Sequence, residues 1–258
     1  MARDYDISWL QKAIKKGEEF EYFYFWEFAS FEKTGKHCFS IWHKSPFTID
    51  NLTYPTMQHY MMAHKALIFQ DYDRFEKIMV APTPREAQLL GDEIADIDFE
   101  HWAREQYDIA KEGNIHKFNQ YPSFAAELLQ TGNKILVEAS LTDAIWVKQD
   151  DSDDVELGYY NWISINLHGF VLMSVREFFR DFGHFEPLEN PMLSPWKKFP
   201  DASEAVFEEE PERDYLLLFC EYYNTLSARE QNIYKLTHPL PYTWYDIYDE
   251  CEYCKIRK

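Results

Sequence analysis

Glycine is scarce in this sequence, with 8 among 258 residues. Gly-rich phosphate-binding loops and long flexible linkers both depend on glycine, so neither is expected. Basic residues are also few: 26 Lys and Arg stand against 45 Asp and Glu, which gives a net charge of −19. Nucleic-acid binders need clustered Lys and Arg to contact phosphates, and the sequence contains no such cluster. We therefore expect no general nucleic-acid binding.

Long apolar runs and a regular cysteine pattern are missing as well. No stretch approaches the length of a membrane-spanning helix, and the first 20 residues are too polar for a signal peptide. The four cysteines are scattered and predict no disulfide framework. Cys251 and Cys254 have the spacing of a metal-binding pair, but without a second pair no metal site is predicted. These features favour a soluble cytoplasmic protein that makes no membrane contact.

Capping and turn signals along the chain predict several helices and a few short strands. Hydrophobic residues make up 46% of the chain, which is enough for a substantial core. Thr56 is placed to cap a helix over residues 57–70, and Thr83 with Pro84 to start another. A long helix is predicted to end at Gly113, since glycine commonly terminates helices. Strands are predicted near both 21–26 and 134–140.

Three parts are predicted along the chain: an N-terminal helix at 1–20, a domain at 21–182 and a C-terminal helical extension at 183–258. The boundary follows Phe182, where the sequence becomes rich in Pro and Glu. One helix is predicted over 214–237, followed by an acidic, aromatic tail. The Tyr and Trp residues of this extension either pack on the domain or form a surface for a protein partner.

Several motifs between residues 22 and 179 follow one another in a characteristic order. They are PFTIDNLTYPT, QHYMMAHKALIF, Gly91, a helix bearing Trp102, KFNQYP, LLQTGNKILVEASLTDAIW, NWISINLHG and VLMSVRE. This series resembles the NADAR family, which includes an N-glycosidase acting on riboflavin-pathway intermediates. The resemblance implies a compact α-rich domain that hydrolyses an N-glycosidic bond to a ribose. It implies neither a metal nor an organic cofactor.

The same resemblance implies a small-molecule partner, either a nucleotide or a ribosylated base. Family substrates include phosphoribosylamino-pyrimidines and guanine bases that carry ADP-ribose. Cleavage passes through an oxocarbenium-like sugar, so the site needs a carboxylate to activate water or to stabilise positive charge. The family's glutamate corresponds to Gln58 of this chain and its aspartate to Asp143. The candidate substrate-binding residues are Lys65, Trp102, Trp146, Asn166 and His59.

Several of these candidates also have a structural alternative. Asp143 either binds ribose or caps a turn, and Trp102 either stacks on a base or fills the core. His59 either takes part in the site or packs within the core. Lys65 shares a helix face with Gln58 and is predicted to face phosphate or solvent.

The sequence departs from the family pattern where the chemistry is expected. Gln58 replaces the glutamate and cannot accept a proton, a loss that typically costs roughly 10² to 10⁴ in rate. Asp92 replaces an arginine, and Glu27 stands where the family has a small residue. Either Glu27 or Asp143 then acts as the catalytic acid, or the protein binds a nucleotide or ADP-ribose-type ligand without cleaving it. A third hypothesis is a protein with a vestigial site that binds a basic partner.

Overall fold

The computed structural model describes residues 5–26, 35–139, 166–199, 212–240, 247–248 and 251. The chain divides into a first unit, Met1–His184, and a second unit, Phe185–Lys258. The helices of the first unit are α1 (Ile7–Lys15), α2 (Met57–Ile68), α3 (Tyr72–Met79), α4 (Pro84–Asp92), α5 (Phe99–Gln120), α6 (Pro122–Gln130) and α7 (Leu167–Asp181). Its strands are β1 (Tyr22–Trp26), β2 (Phe47–Ile49), β3 (Leu52–Tyr54) and β4 (Ile135–Ala139). The predicted mainly α fold class with a few short strands is confirmed.

Side-chain caps start α2 and α4 at the predicted residues. The Thr56 hydroxyl accepts a hydrogen bond from the backbone N–H of His59 at 3.3 Å. The Thr83 hydroxyl accepts one from the N–H of Glu86 at 3.2 Å, with Pro84 at the first helical position. Both bonds satisfy N–H groups that a helix leaves unpaired in its first turn. Local sequence therefore determines where these two helices begin.

The four strands form two small sheets. β2 and β3 make an antiparallel hairpin whose turn residues, Asp50 and Asn51, both have positive φ angles (49° and 64°). Two left-handed residues match the type I′ turn that short hairpins prefer. β1 instead pairs with β4 in parallel, with Tyr22 opposite Ile135. Because more than 100 residues separate these partners, tertiary packing has to bring the two strands together.

The predicted end of a helix at Gly113 is wrong, because α5 continues to Gln120. α5 packs against both α2 and α7. At Gly113 a Cβ atom would lie only 2.5 Å from Cε1 of the Tyr60 ring in α2. The glycine therefore permits the close approach of two helices and does not terminate either of them.

The helices of the second unit include α8 (Pro195–Lys198), α9 (Glu212–Thr225) and α10 (Ala228–Thr237). The single helix predicted over 214–237 is wrong, because the chain breaks it before Ser227. The Ser227 hydroxyl accepts from the N–H of Glu230, and the Glu230 carboxylate accepts from the N–H of Ser227. This reciprocal capping box starts α10 as a separate helix.

A disulfide between Cys220 and Cys251 crosses the second unit, contrary to the prediction of no disulfide framework. The two residues are 31 positions apart in sequence, so their spacing carried no signal. Around them lies an aromatic core that includes the buried Tyr223, Tyr234 and Tyr248. These three residues are packed inside the second unit, and a surface for a protein partner stays a prediction. Tyr242, Trp244 and Tyr245 lie outside the described residues.

No helix within the described ranges combines the length and the apolar character that crossing a membrane requires.

Replacing Gly113 with Ala should destabilise the first unit by about 1–3 kcal/mol, the usual cost of overpacking a well-filled contact. The added methyl group would collide with the Tyr60 ring and separate α2 from α5. Urea unfolding followed by circular dichroism measures this change. Arg104→Ala, at an exposed position of the same helix, is the control and should change stability by no more than about 0.5 kcal/mol. Equal stability of the two variants would contradict the close-approach role.

Candidate functional site

One face of α2 carries Gln58, Met62 and Lys65 toward the C-terminal end of α4. Met62 packs against Gly91, where any larger residue would collide with its side chain. The Lys65 ammonium donates a hydrogen bond to the Gly91 carbonyl at 2.9 Å. Gln58 is buried, and its side-chain amide makes no hydrogen bond with any residue that the structure describes. The predicted shared face of these side chains is therefore observed.

Trp102 of α5 joins this face through its contact with Lys65. The Lys65 ammonium lies 5.9 Å from the centroid of the Trp102 ring, within the range of a cation–π interaction. Burial lowers the pKa of Lys65, and the nearby Asp92 carboxylate opposes that shift. The structure thus brings together Lys65 and Trp102, with Asp92 acting on the lysine and Gln58 two turns earlier on the same face of α2.

His59 lies on a different side of α2, within the core. Its Nδ1 lies 2.8 Å from the Thr56 hydroxyl, and its Nε2 lies 3.0 Å from the carbonyl oxygen of Ala81. Because a carbonyl can only accept, Nε2 carries the proton and Nδ1 accepts from Thr56. Both ring nitrogens are therefore occupied, and we assign His59 to the support of the α2 N-terminus.

The side chain of Asn166 forms hydrogen bonds with the backbone of β4. Its amide group donates to the Leu136 carbonyl at 2.8 Å, and its amide oxygen accepts from the N–H of Glu138 at 3.0 Å. A Cβ at Gly169 would collide with this amide, so glycine lets the start of α7 approach β4. Asn166 therefore fixes the edge of β4, the strand that precedes Asp143 in the sequence.

Three predicted site residues, Glu27, Asp143 and Trp146, lie outside the described residues. Their roles remain predictions from the sequence. In the described part of the chain, no group of three or more His, Cys, Asp or Glu side chains is close enough to hold a metal ion.

Two buried basic residues near the start of α2 were missed by the sequence reasoning. Lys117 of α5 is completely buried, and its ammonium donates to the carbonyls of Cys38 and Ser40 at 2.8 and 3.3 Å. Nε2 of His168 in α7 donates to the Phe39 carbonyl at 2.7 Å. Burial lowers the pKa of Lys117 to about 8 and that of His168 to about 4. The motif KFNQYP contains Lys117, but nothing in its pattern marks the lysine as buried.

A second group of titratable side chains lies around Tyr54 and Glu112. Desolvation, with a smaller contribution from Asp108 one helical turn away, raises the pKa of Glu112 to about 7. Desolvation and then the negative charge of Glu112 raise the pKa of Tyr54. The rings of His64 and Tyr60 are tilted by 42° with centroids 4.1 Å apart, and burial lowers the pKa of His64 to about 4. These contacts involve residues of α2 other than Gln58, Met62 and Lys65.

Comparison with known proteins gives one family for most of the first unit. A family model described as the NADAR domain matches residues 24–180. An N-glycosidase of Acanthamoeba polyphaga mimivirus is 36% identical over 165 residues, which cover 62% of this chain and 97% of that protein. An N-glycosidase of Nostoc punctiforme is 31% identical over 144 residues, covering 56% of this chain and 86% of that protein. The NMR structure of the Escherichia coli protein YbiA is similar with a TM-score of 0.48 and 24% identity, covering 66% of this chain and 93% of that chain.

The free energy of unfolding of the Glu112→Gln variant, compared with that of the wild type, should increase as the pH rises. The folded-state pKa of about 7 lies above the unfolded value of about 4.5, so folded Glu112 holds a proton that the unfolded chain releases. The wild type therefore loses stability between pH 4.5 and pH 7, whereas the Gln variant lacks this loss. We expect the variant to gain of the order of 1–3 kcal/mol over the wild type between pH 4.5 and pH 8.

Urea unfolding at the two pH values measures that difference. Glu127→Gln, an exposed position on α6, provides the control and should show no comparable gain. A constant difference between wild type and the Glu112 variant would show that Glu112 titrates as an ordinary carboxyl group.

Proposed function

The chain belongs to the NADAR family, and from this premise we propose that it is an N-glycosidase acting on a ribosylated small molecule. The family match over residues 24–180 and the N-glycosidase names of similar proteins support this reaction class. The observation that carries the proposal is the contact of Lys65 with Trp102 on the face of α2 that also carries Gln58, two helical turns before Lys65. This face presents a cation, an aromatic ring and the position of the family's glutamate.

Lys65 and Trp102 are suited to hold the two ends of a nucleotide-like substrate. A lysine ammonium has three N–H donors, and Gly91 accepts only one from Lys65. The others can bind phosphate oxygens. Trp102 offers an aromatic face to a base, and stacking of this kind tolerates many bases. We therefore propose a phosphoribosylamino-pyrimidine or an ADP-ribosylated guanine as substrate.

The proposed reaction transfers the ribose from a base nitrogen to water. As the bond between C1′ and that nitrogen breaks, its electrons go to the base and positive charge develops on the sugar. Water then adds to C1′ and gives up a proton, which the base nitrogen can take up. Gln58 can hydrogen-bond this water but cannot accept its proton. We assign the carboxylate role to Asp143, with Glu27 as the alternative.

Gln58 also favours a second candidate function, binding of the same ligand class without cleavage. An amide in place of the family's glutamate leaves the site able to donate and accept hydrogen bonds. It removes the general base that hydrolysis would use. In this alternative the protein holds a nucleotide or ADP-ribose-type ligand through Lys65 and Trp102.

A single-turnover assay with enzyme in excess decides between the two functions. Wild type and Gln58→Glu would each be mixed with a phosphoribosylamino-pyrimidine or ADP-ribosylated guanine, and the released base measured by mass spectrometry. We expect the wild type to release base and Gln58→Glu to do so faster by about 10²–10⁴, the usual worth of a general base. Asp143→Asn should abolish the wild-type rate.

Gln130→Glu makes the same chemical change at an exposed position of α6 and should leave the rate unaltered. Turnover by Gln58→Glu alone would establish the binding function for the natural protein. If neither protein releases base from either substrate, the glycosidase proposal is wrong.

Replacing Asp92 with Asn should tighten the binding of ADP-ribose. Asp92 places a negative charge near the Lys65 ammonium, and this charge repels the phosphates of the ligand. Removing about 1 kcal/mol of repulsion corresponds to roughly fivefold tighter binding at low salt. Isothermal titration calorimetry at two salt concentrations measures the change, which should shrink as salt rises.

Asp73→Asn removes the same charge from an exposed position of α3 and should alter the affinity much less. Weaker binding by the Asp92 variant would mean that the carboxylate itself contacts the ligand.

A further inference from the structure

Four consecutive backbone carbonyls, those of residues 38–41, each accept a hydrogen bond from a residue distant in sequence. The donors, in the order of the carbonyls, are the Lys117 ammonium (2.8 Å), His168 Nε2 (2.7 Å), the Lys117 ammonium again (3.3 Å) and the N–H of Gln58 (3.0 Å). The donors come from α5, α7 and α2. Three helices therefore hold this short segment, which we call the 38–41 segment.

Lys117 is an unusual residue for such a position. It is 0% exposed, and no carboxylate in the described ranges forms an ion pair with it. The ammonium contacts the two carbonyls and lies 5.5 and 6.0 Å from the ring centroids of Phe118 and Phe124. Removing a cation from water is costly, and an apolar side chain of similar volume often stabilises a core better. A buried cation at this position therefore points to a role beyond stability.

The role of Lys117 is indicated by the residue that the end of the 38–41 segment contacts. Its last carbonyl, that of Ile41, accepts from the N–H of Gln58, so the segment meets α2 at the candidate site. The Ser40 hydroxyl accepts from the N–H of Trp42 at 3.1 Å, which extends the fixed backbone by one residue. Lys117 itself bonds only to the carbonyls before Ile41. The 38–41 segment therefore links the ammonium of Lys117 to the backbone of Gln58 through hydrogen bonds.

We infer that Lys117, assisted by His168, is a positioning residue that holds the 38–41 segment against the N-terminus of α2 and so fixes Gln58 in the site. This inference rests on the proposed function in that Gln58 marks the reacting centre. Two helices supply the donors because neither lysine nor histidine alone reaches all of the first three carbonyls. The segment itself forms no regular strand pairing after the 3₁₀ turn at Gly35–Phe39.

Hydrogen exchange measured by mass spectrometry tests this role in the full chain. In Lys117→Met, the amides of residues 40–43 and of Gln58 should exchange at least tenfold faster, although Lys117 does not touch Gln58. Peptides from α3 and β4 should exchange as in the wild type. Lys117→Arg retains a charged donor and should restore part of the protection. If Lys117→Met fails to fold, His168→Leu takes its place. It removes a single hydrogen bond, so the same amides should exchange faster, by a smaller factor than expected for Lys117→Met.

Lys77→Met, an exposed lysine of α3, is the matched control and should leave exchange unchanged. Uniformly faster exchange throughout the first unit, with no recovery in Lys117→Arg, would assign Lys117 to general stability and overturn the inference. So would unchanged exchange at Gln58 in a folded Lys117→Met or His168→Leu variant.

A kinetic measurement separates this result from the fate of the proposed function. If wild type or Gln58→Glu releases base, adding Lys117→Met should lower kcat at least tenfold and change KM less than threefold. If neither releases base, the proposed function fails, and the exchange of the Gln58 amide still decides whether Lys117 positions the start of α2. An unaltered kcat in an active background would overturn the inference.

Discussion

Helix α2 touches its neighbours α4 and α5 at points where only glycine fits. Gly91 leaves room for Met62, and Gly113 leaves room for the ring of Tyr60. With only 8 glycines in the chain, their use at these two contacts is a strong constraint on how α2 is placed. The candidate site depends on that placement, because Lys65 reaches the Gly91 carbonyl only when α4 lies this close.

Two buried lysines place positive charge inside a protein whose net charge is strongly negative. The net charge of −19 repels polyanions at long range, whereas Lys65 and Lys117 are held inside by carbonyl oxygens and aromatic rings. The two lysines differ in what surrounds them. Lys65 has Asp92 nearby and donors left for a ligand, whereas Lys117 is fully enclosed and bonds to backbone. The first suits binding and the second suits positioning.

The departures from the family pattern predicted at Gln58 and Asp92 concern polar residues, while the close contacts that hold α2 in place lie at Gly91 and Gly113. Neither of these contacts involves the side chain of Gln58 or Asp92, so the predicted change of charge removes neither. His59 and Asn166, adjacent to or matched with family motifs, bond to the protein's own backbone and hydroxyl groups. Matching a motif therefore did not distinguish a residue that contacts ligand from one that supports the scaffold.

The sequence by itself determined the features that rest on local interactions. Two helix caps and one hairpin turn involve residues within a few positions of each other, so they can be predicted from the sequence. They are the caps at Thr56 and Thr83 and the turn at Asp50 and Asn51. Lys65 was predicted on the face of Gln58 because helical spacing fixes that relation. The ordered motifs were sufficient to indicate the family.

Only the tertiary structure decided the long-range features. The pairing of β1 with β4, the disulfide between Cys220 and Cys251, and the passage of α5 through Gly113 all depend on partners far away in sequence. The burial of Lys117 is decided in the same way, because its acceptors lie more than 75 residues before it. Side-chain type specifies what a residue can bond to, but the packed chain decides which partner is within reach.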